Sequence, residues 1–298
     1  MKQETRIGLK PVVKWAGGKR QLLSIIDKNL PIELKKGEIK TYIEPFLGGG
    51  AMFFHIVQNY NVEKVILNDI NKELMNVYRV IRDDVNSLIK YLKNVEDEYL
   101  YLNDENRKKY FYNKRQDYNM NKKEDVETAG KFIFLNRTCF NGLYRVNKKG
   151  EFNVPYGRYK NPTILDEVNL TNVSLVLKDV KLYSVDFENI KKYVDDKTFV
   201  YFDPPYRPLD ATSNFTSYSR SQFNDDEQKR LKNFYEKLDK KGAKLLLSNS
   251  DPKNTDVNDD FFDKLYRDYN IKRVFANRMI NSNGNNRGKV TELLISNY

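Results

Sequence analysis

The chain has one cysteine, one histidine and one tryptophan among 298 residues. Cys139 has no partner for an internal disulfide and no companion thiolates for a metal cluster. His55 alone excludes His-based triads and His-rich metal sites. It lies in Met52-Phe-Phe-His-Ile-Val57 and reads as a packed helix residue. No apolar run approaches the roughly 18 residues of a membrane span, and Met1-Lys-Gln-Glu-Thr-Arg6 lacks a signal-peptide core, so a cytoplasmic location is expected. Two nucleotide signatures are also missing. Neither G-x-G-x-x-G nor G-x-x-x-x-G-K-[ST] occurs, which argues against NAD and ATP.

What is present suits a globular protein with a polyanionic partner. The length allows a sizeable core in one large domain or two. Charged residues make up 31% and hydrophobic ones 40%, with a net charge of +11. A basic balance favours nucleic acid. The 21 tyrosines and 17 phenylalanines could serve base stacking or an ordinary core, so composition alone does not decide function.

The most informative stretch is Thr198-Phe-Val-Tyr-Phe-Asp-Pro-Pro-Tyr206. Its first five residues, β-branched and aromatic, read as a buried strand. Two prolines then stop both strand and helix. Asp203, Pro204, Pro205 and Tyr206 are thereby displayed at a strand's C-terminal edge, where open α/β sheets bind ligands. A carboxylate, outward-facing proline carbonyls and a flat ring suit a planar group carrying an N–H₂, such as a nucleobase. The plainer reading is a strand-closing turn.

Two glycine-containing stretches precede it. In Lys14-Trp-Ala-Gly-Gly-Lys-Arg20, Gly17 and Gly18 before a helix at 21–29 leave N–H groups facing an anion, with Lys19 adding charge. A basic turn before a surface helix explains it equally well. In Lys40-Thr-Tyr-Ile-Glu-Pro-Phe-Leu-Gly-Gly-Gly-Ala-Met-Phe-Phe54, a strand at 42–46 enters Gly48-Gly49-Gly50 and then an apolar helix. A second strand at 64–69 ends in Asp69, about twenty residues past the glycines, where βαβ sites place a carboxylate on ribose hydroxyls. A helix cap ahead of a helix at 72–81 is the alternative for Asp69.

From residue 82 to 166 the α/β rhythm gives way to charged helical segments at 85–94, 105–118 and 123–136. Residues 140–160 then carry Arg145, Lys148, Lys149, Arg158 and Lys160 with one acid, Glu151, interleaved with five aromatics. Asn147-Lys-Lys-Gly150 reads as the turn of a hairpin joining strands at 143–146 and 151–154. Such a hairpin could enter a DNA groove, with Arg145 and Arg158 able to fork onto guanine. The alternative is a solvated loop. After residue 166 strands are expected at 180–185, 198–202, 243–248, 271–278 and 292–296, with helices at 187–193, 225–238 and 258–269. The two final strands, joined through Asn281–Gly288, suggest an antiparallel edge on a mainly parallel sheet. Leu209–Phe223 reads as a loop over the site.

With these motifs in place the chain resembles the Dam-type DNA adenine-N6 methyltransferases of the α group, D12 class, over about residues 10–298. It looks most like the GATC-modifying members that accompany restriction enzymes. The resemblance rests on Lys14–Lys19, Glu44–Gly50, Asn68-Asp69, Asn141–Arg145, Phe152–Lys160 and the DPPY motif Asp203–Tyr206. It implies a Rossmann-like α/β catalytic domain formed by residues 1–81 and 167–298. The sheet is mostly parallel with an antiparallel C-terminal edge strand. A mainly helical target-recognition domain with a β-hairpin occupies residues 82–166. S-adenosylmethionine is the implied methyl donor, with no metal. Trp15, Lys19, Phe46, Gly48, Asp69 and Asp203 would lie at the cofactor. Lys14 would face the first guanine of GATC. Phe140, Asn141, Leu143, Arg145, Pro155 and Arg158 would contact or intercalate near the target, Phe140 standing where some members carry another aromatic. The implied partners are double-stranded DNA and a cognate restriction endonuclease, with a monomer in solution.

The expected chemistry is direct. Adenine's amine is buried in the duplex, so the base is flipped out. Tyr206 stacks on it, and Asp203 with the Pro204 carbonyl accepts hydrogen bonds from the N–H₂, aiming its lone pair at the methyl donor. Cys139 lacks the Pro-Cys context of a covalent mechanism. Methylation of cytosine N4 or of RNA adenine, and a DNA-binding regulator on an inactive fold, remain open on the residues alone.

Overall fold

The computed structural model describes residues 8–17, 19–207, 223–277 and 289–298. Seven strands form one sheet: β1 Thr41–Glu44, β2 Lys64–Asn68, β3 Lys181–Tyr183, β4 Thr198–Phe202, β5 Lys244–Ser250, β6 Asn270–Asn277 and β7 Lys289–Ser296. Their spatial order is β3-β2-β1-β4-β5-β7-β6. The first five strands in this order run parallel, and β7 is antiparallel to both neighbours. The antiparallel edge foreseen in the sequence is there, with the last strand lying inside it between β5 and β6.

The helices are α1 Leu23–Lys28, α2 Ile32–Lys35, α3 Ala51–Asn59, α4 Lys72–Asp83, α5 Val85–Tyr101, α6 Asp104–Met120, α7 Val126–Thr138, α8 Glu167–Leu177, α9 Asp225–Asp239 and α10 Phe261–Leu265. Several begin where a side chain accepts from the first turn: Asn71 from Leu74 N, Asp84 from Ser87 N, Asn103 from Asn106 N, Asp125 from Thr128 N and Asp166 from Asn169 N. Each such cap satisfies a backbone donor that the helix leaves open.

Every residue of β1 and β4 is buried, as expected of strands covered on both faces. Their side chains alternate between two cores. Tyr42, Leu67, Phe199, Tyr201, Leu246 and Leu294 face a cluster continuous with α1, α3, α4 and the α5–α8 helices. Ile43, Ile66, Val200, Phe202, Leu247 and Leu293 face α9 and α10. The chain steps from β1 through β2 to β3 on one side, then crosses to β4 and β5 on the other. The C-terminal ends of β1 and β4 therefore flank the switch point at which an open sheet forms its crevice.

Four local expectations change. The hairpin at 143–154 is shorter than a strand pair: only the isolated bridges Val146–Phe152 and Cys139–Tyr156 form. Asn147 N donates to Glu151 O at 2.9 Å and Asn153 N to Arg145 O at 3.1 Å, so a short hairpin forms, and side chains of α6 bond the outward-facing backbone groups of its second arm. Asn119 bonds both N and O of Phe152, and Arg115 donates to Val154 O. The helix expected over 258–269 shrinks to α10, because Asp256 and Asp259 accept from Asn258 N and Phe261 N and so favour local turns. Residues 187–193 are a 3₁₀ turn rather than an α-helix. α8 was not anticipated.

Candidate active site

Asp203 leaves β4 at the switch point, beside the loop that follows β1. Its Oδ1 lies 3.0 Å from Lys19 Nζ and accepts a 3.2 Å hydrogen bond from Ser248 Oγ. Burial pushes the Asp203 carboxyl up, and the Lys19 ammonium opposes that. Lys19 itself is buried. Burial alone would lower its pKa, but the Asp203 carboxylate, the Tyr206 oxygen and Glu292 together hold it well above the ordinary value. Its ammonium donates to the Tyr206 hydroxyl, 4.5 Å from the ring centroid. Glu292 Oε2 closes the group, 3.2 Å from Lys19 Nζ and 3.1 Å from the Tyr206 hydroxyl that donates to it.

Of the two proline carbonyls, that of Pro205 is occupied by Gln228 Nε2 at 3.2 Å. The expectation that both are unopposed is corrected to one. Pro204 is buried and, among the described residues, no hydrogen bond reaches its carbonyl. Arg207 locks the far end of the motif with ion pairs to Asp225 at 2.6 Å and Asp259 at 2.5 Å.

The glycine loop lies next to this group. Gly48 adopts φ +50°, and a Cβ there would come 2.8 Å from Trp15 Cδ1. Gly50 adopts φ +70° at the start of α3. Trp15 covers the loop and stacks on Tyr144, with centroids 5.4 Å apart. Phe46 packs against Phe187 at 5.4 Å. Asp69 Oδ2 accepts from Gly48 N and Oδ1 from Asn71 N, each at 2.9 Å. Burial raises the Asp69 carboxyl despite these two bonds. Each oxygen keeps a second lone pair, so a vicinal diol can still donate to it. Asp69 does brace the start of α4, but Asn71 is the cap itself. Glu44, at the end of β1, is buried, and among the described residues its Oε2 has no hydrogen-bond partner.

The residues expected to face DNA are solvent-exposed or half-buried. Inward, Tyr144, Val146, Phe152, Val154 and Tyr156 are buried; outward, Phe140, Asn141, Arg145, Pro155 and Arg158 are exposed and Leu143 is half-buried. The alternation survives without a strand ladder. Asn141 and Arg158 are the only non-glycine residues with positive φ among those described, both at 54°. Asn136 ties Lys14 to this segment. Its side chain accepts from Lys14 N at 2.7 Å and donates to Lys14 O and Gly142 O at 2.9 and 3.0 Å. The Lys14 ammonium lies over Tyr159, 4.8 Å from its centroid. Arg145 Nε donates to Asn153 Oδ1 at 2.8 Å.

Cys139 is buried, its thiol pushed up to about 12 chiefly by burial and donating to Leu143 O. His55 is a packed helix residue with Nε2 2.7 Å from Asp27 Oδ1. Gly18, nearly all of the loop 209–223, Arg278 and the connection 281–288 lie outside the described residues. Among those described, no group of three or more His, Cys, Asp or Glu side chains could hold a metal, and no helix is long and apolar enough to cross a membrane. Sequence reasoning missed Glu292 and Ser248. Glu292 was visible only as a lone acid in an apolar strand.

The family model described as D12 class N6 adenine-specific DNA methyltransferase matches residues 15–280. The Type II methyltransferase M.MjaIII of Methanocaldococcus jannaschii is 58% identical over 293 residues, 97% of this chain and 99% of that protein. The Type II methyltransferase M1.LlaDCHI of Lactococcus lactis is 40% identical over 301 residues, 99% and 98% of the two chains. A DNA adenine methylase of Escherichia coli K12 is 34% identical over 282 residues, 95% and 93%.

Proposed function

The chain belongs to the D12 class of N6-adenine-specific DNA methyltransferases, and from that premise we propose that it methylates the adenine of GATC in double-stranded DNA, after turning that base out of the helix. The family excludes the cytosine-N4 and RNA readings and makes the chain an enzyme rather than an inactive regulator. S-adenosylmethionine supplies, when bound, an electrophilic methyl group on a sulfonium. The chemistry of the residues supports the fit: Gly48 turns tightly beside Asp69, Asp69 keeps lone pairs for a diol, and Glu44 Oε2 is buried without a partner among the described residues. Trp15, Lys19, Phe46 and Asp203 would complete the pocket.

The observation that carries the reading is the meeting of Asp203, Tyr206 and Lys19 at the switch point beside the glycine loop. A flipped adenine stacks on Tyr206, recovering about 1–3 kcal/mol of its unstacking cost. Its amine donates to Asp203 and to the Pro204 carbonyl. These acceptors localise the nitrogen lone pair and orient it for in-line attack. Cys139, buried and protonated, takes no part, so no covalent intermediate forms.

In this reading residues 82–166 recognise the target while 1–81 and 167–298 bind cofactor and catalyse. Lys14, Phe140, Asn141, Leu143, Arg145, Pro155 and Arg158 form the DNA face. A companion restriction endonuclease and action in the cytoplasm as a monomer belong to the same reading. Methylome sequencing of DNA from cells expressing the protein tests it. N6-methyladenine confined to GATC is the expected outcome; methylation in another sequence context overturns the site assignment.

A further inference from the structure

Glu292 lies on β7, opposite Ser250 of β5 and Val274 of β6, so the sheet fixes its backbone on both sides. Its neighbour Thr291 is pinned by hydrogen bonds with Asp251 and Asn254. From this rigid place Oε2 meets both Lys19 Nζ and the Tyr206 hydroxyl. We propose that Glu292 is a positioning residue for methyl transfer: it fixes the Tyr206 ring beside Asp203 and draws the Lys19 ammonium off the Asp203 carboxylate. The inference rests on the reading in which Asp203 accepts from the substrate amine.

One buried ammonium faces two carboxylates at nearly equal distances, 3.0 Å to Asp203 and 3.2 Å to Glu292. Lys19 thus has two seats. When a substrate amine donates to Asp203, it competes with Lys19 for the same oxygen. Glu292 gives the lysine another anion on which to rest, so leaving Asp203 does not strand a buried charge. Without the Glu292 charge the full attraction of Lys19 falls on Asp203, and the amine must displace it. Removal of the acid also releases the hydroxyl end of Tyr206. Ring placement matters because misalignment of about 1 Å costs about a hundredfold in rate.

The groups facing this pair are Lys19, Tyr206, Tyr201, Glu44 and Tyr42 around Asp203, with Ser248 as a neutral donor. Glu292 is one of the charges that push the Asp203 carboxyl up. The test compares Glu292→Gln, which keeps size and an acceptor, with Val274→Ala, which removes only cross-strand packing. Both are measured as full-length protein for S-adenosylmethionine binding and for single-turnover methylation of a GATC duplex across pH. Glu292→Gln is expected to slow transfer about ten- to hundredfold at neutral pH, with cofactor binding little changed. Its acid limb moves to lower pH, since Asp203 has lost a neighbouring negative charge. Val274→Ala keeps the wild-type limb. A wild-type rate in Glu292→Gln, or an acid limb that does not move, overturns the proposal. Failure of the wild-type protein to methylate GATC would instead overturn the functional reading.

Discussion

The Lys19 ammonium sits at the hydroxyl end of Tyr206, donating to that oxygen and 4.5 Å from the ring centroid. The ammonium is kept there by Asp203 and Glu292, so the crevice carries its own counter-charge before substrate arrives.

Gly48 is confined by both conformation and space. Gly48→Ala places a side chain at φ +50°, which costs about 1–2 kcal/mol, and drives a Cβ into Trp15. Calorimetric titration should show much weaker S-adenosylmethionine binding, alongside a lowered unfolding midpoint. Unchanged cofactor affinity contradicts the role of the loop.

Glu44 gives the fold a pH dependence of known sign. Burial first, then the charges of Asp203 and Asp69, push its carboxyl well above the ordinary 4.5. The native state then keeps a proton that the unfolded chain has released, so stability falls as pH rises above about 4.5. Glu44→Gln removes this loss. The variant should unfold at higher urea than wild type near pH 7, with the difference shrinking towards pH 4.5; equal gains at both pH values contradict the assignment.

Asn136 couples the segment at Lys14 to Gly142. Asn136→Ala leaves buried backbone groups without partners, at about 1–3 kcal/mol for each. Urea denaturation should report a loss of that order, and DNA binding should weaken as Lys14 leaves the recognition face. Wild-type stability would show that water takes over the bonds.

Arg145 is exposed, with only Asn153 holding its guanidinium among the described residues. Arg145→Ala is expected to narrow the preference for GATC over one-base variants by about 1–3 kcal/mol, read from kcat/KM on matched duplexes. An equal loss on every duplex makes it a phosphate contact instead.

Much of this was legible because burial and motif coincide. Thr198–Phe202 is a strand over the same residues in sequence and structure, since all five are buried and two prolines stop it. Asp203, Tyr206 and Lys19 were each visible in a motif, but their contact was not, because it depends on strand order. The hairpin stays short for a local reason: Pro155 has no N–H to extend the ladder, and Leu143 opposite it gives its own N–H to Phe140 O. Glu292 left little trace, as one acid at the start of an apolar strand has many explanations.

The central claim is that Asp203 receives the amine that is methylated. It is tested most directly by single-turnover transfer of labelled methyl from S-adenosylmethionine to a GATC duplex by wild type and Asp203→Ala, with unfolding followed in parallel. Wild type is expected to label adenine N6, and Asp203→Ala to fold normally and transfer essentially nothing. Turnover by Asp203→Ala within about tenfold of wild type, a loss too small for a group aligned on the reacting nitrogen, would contradict the account.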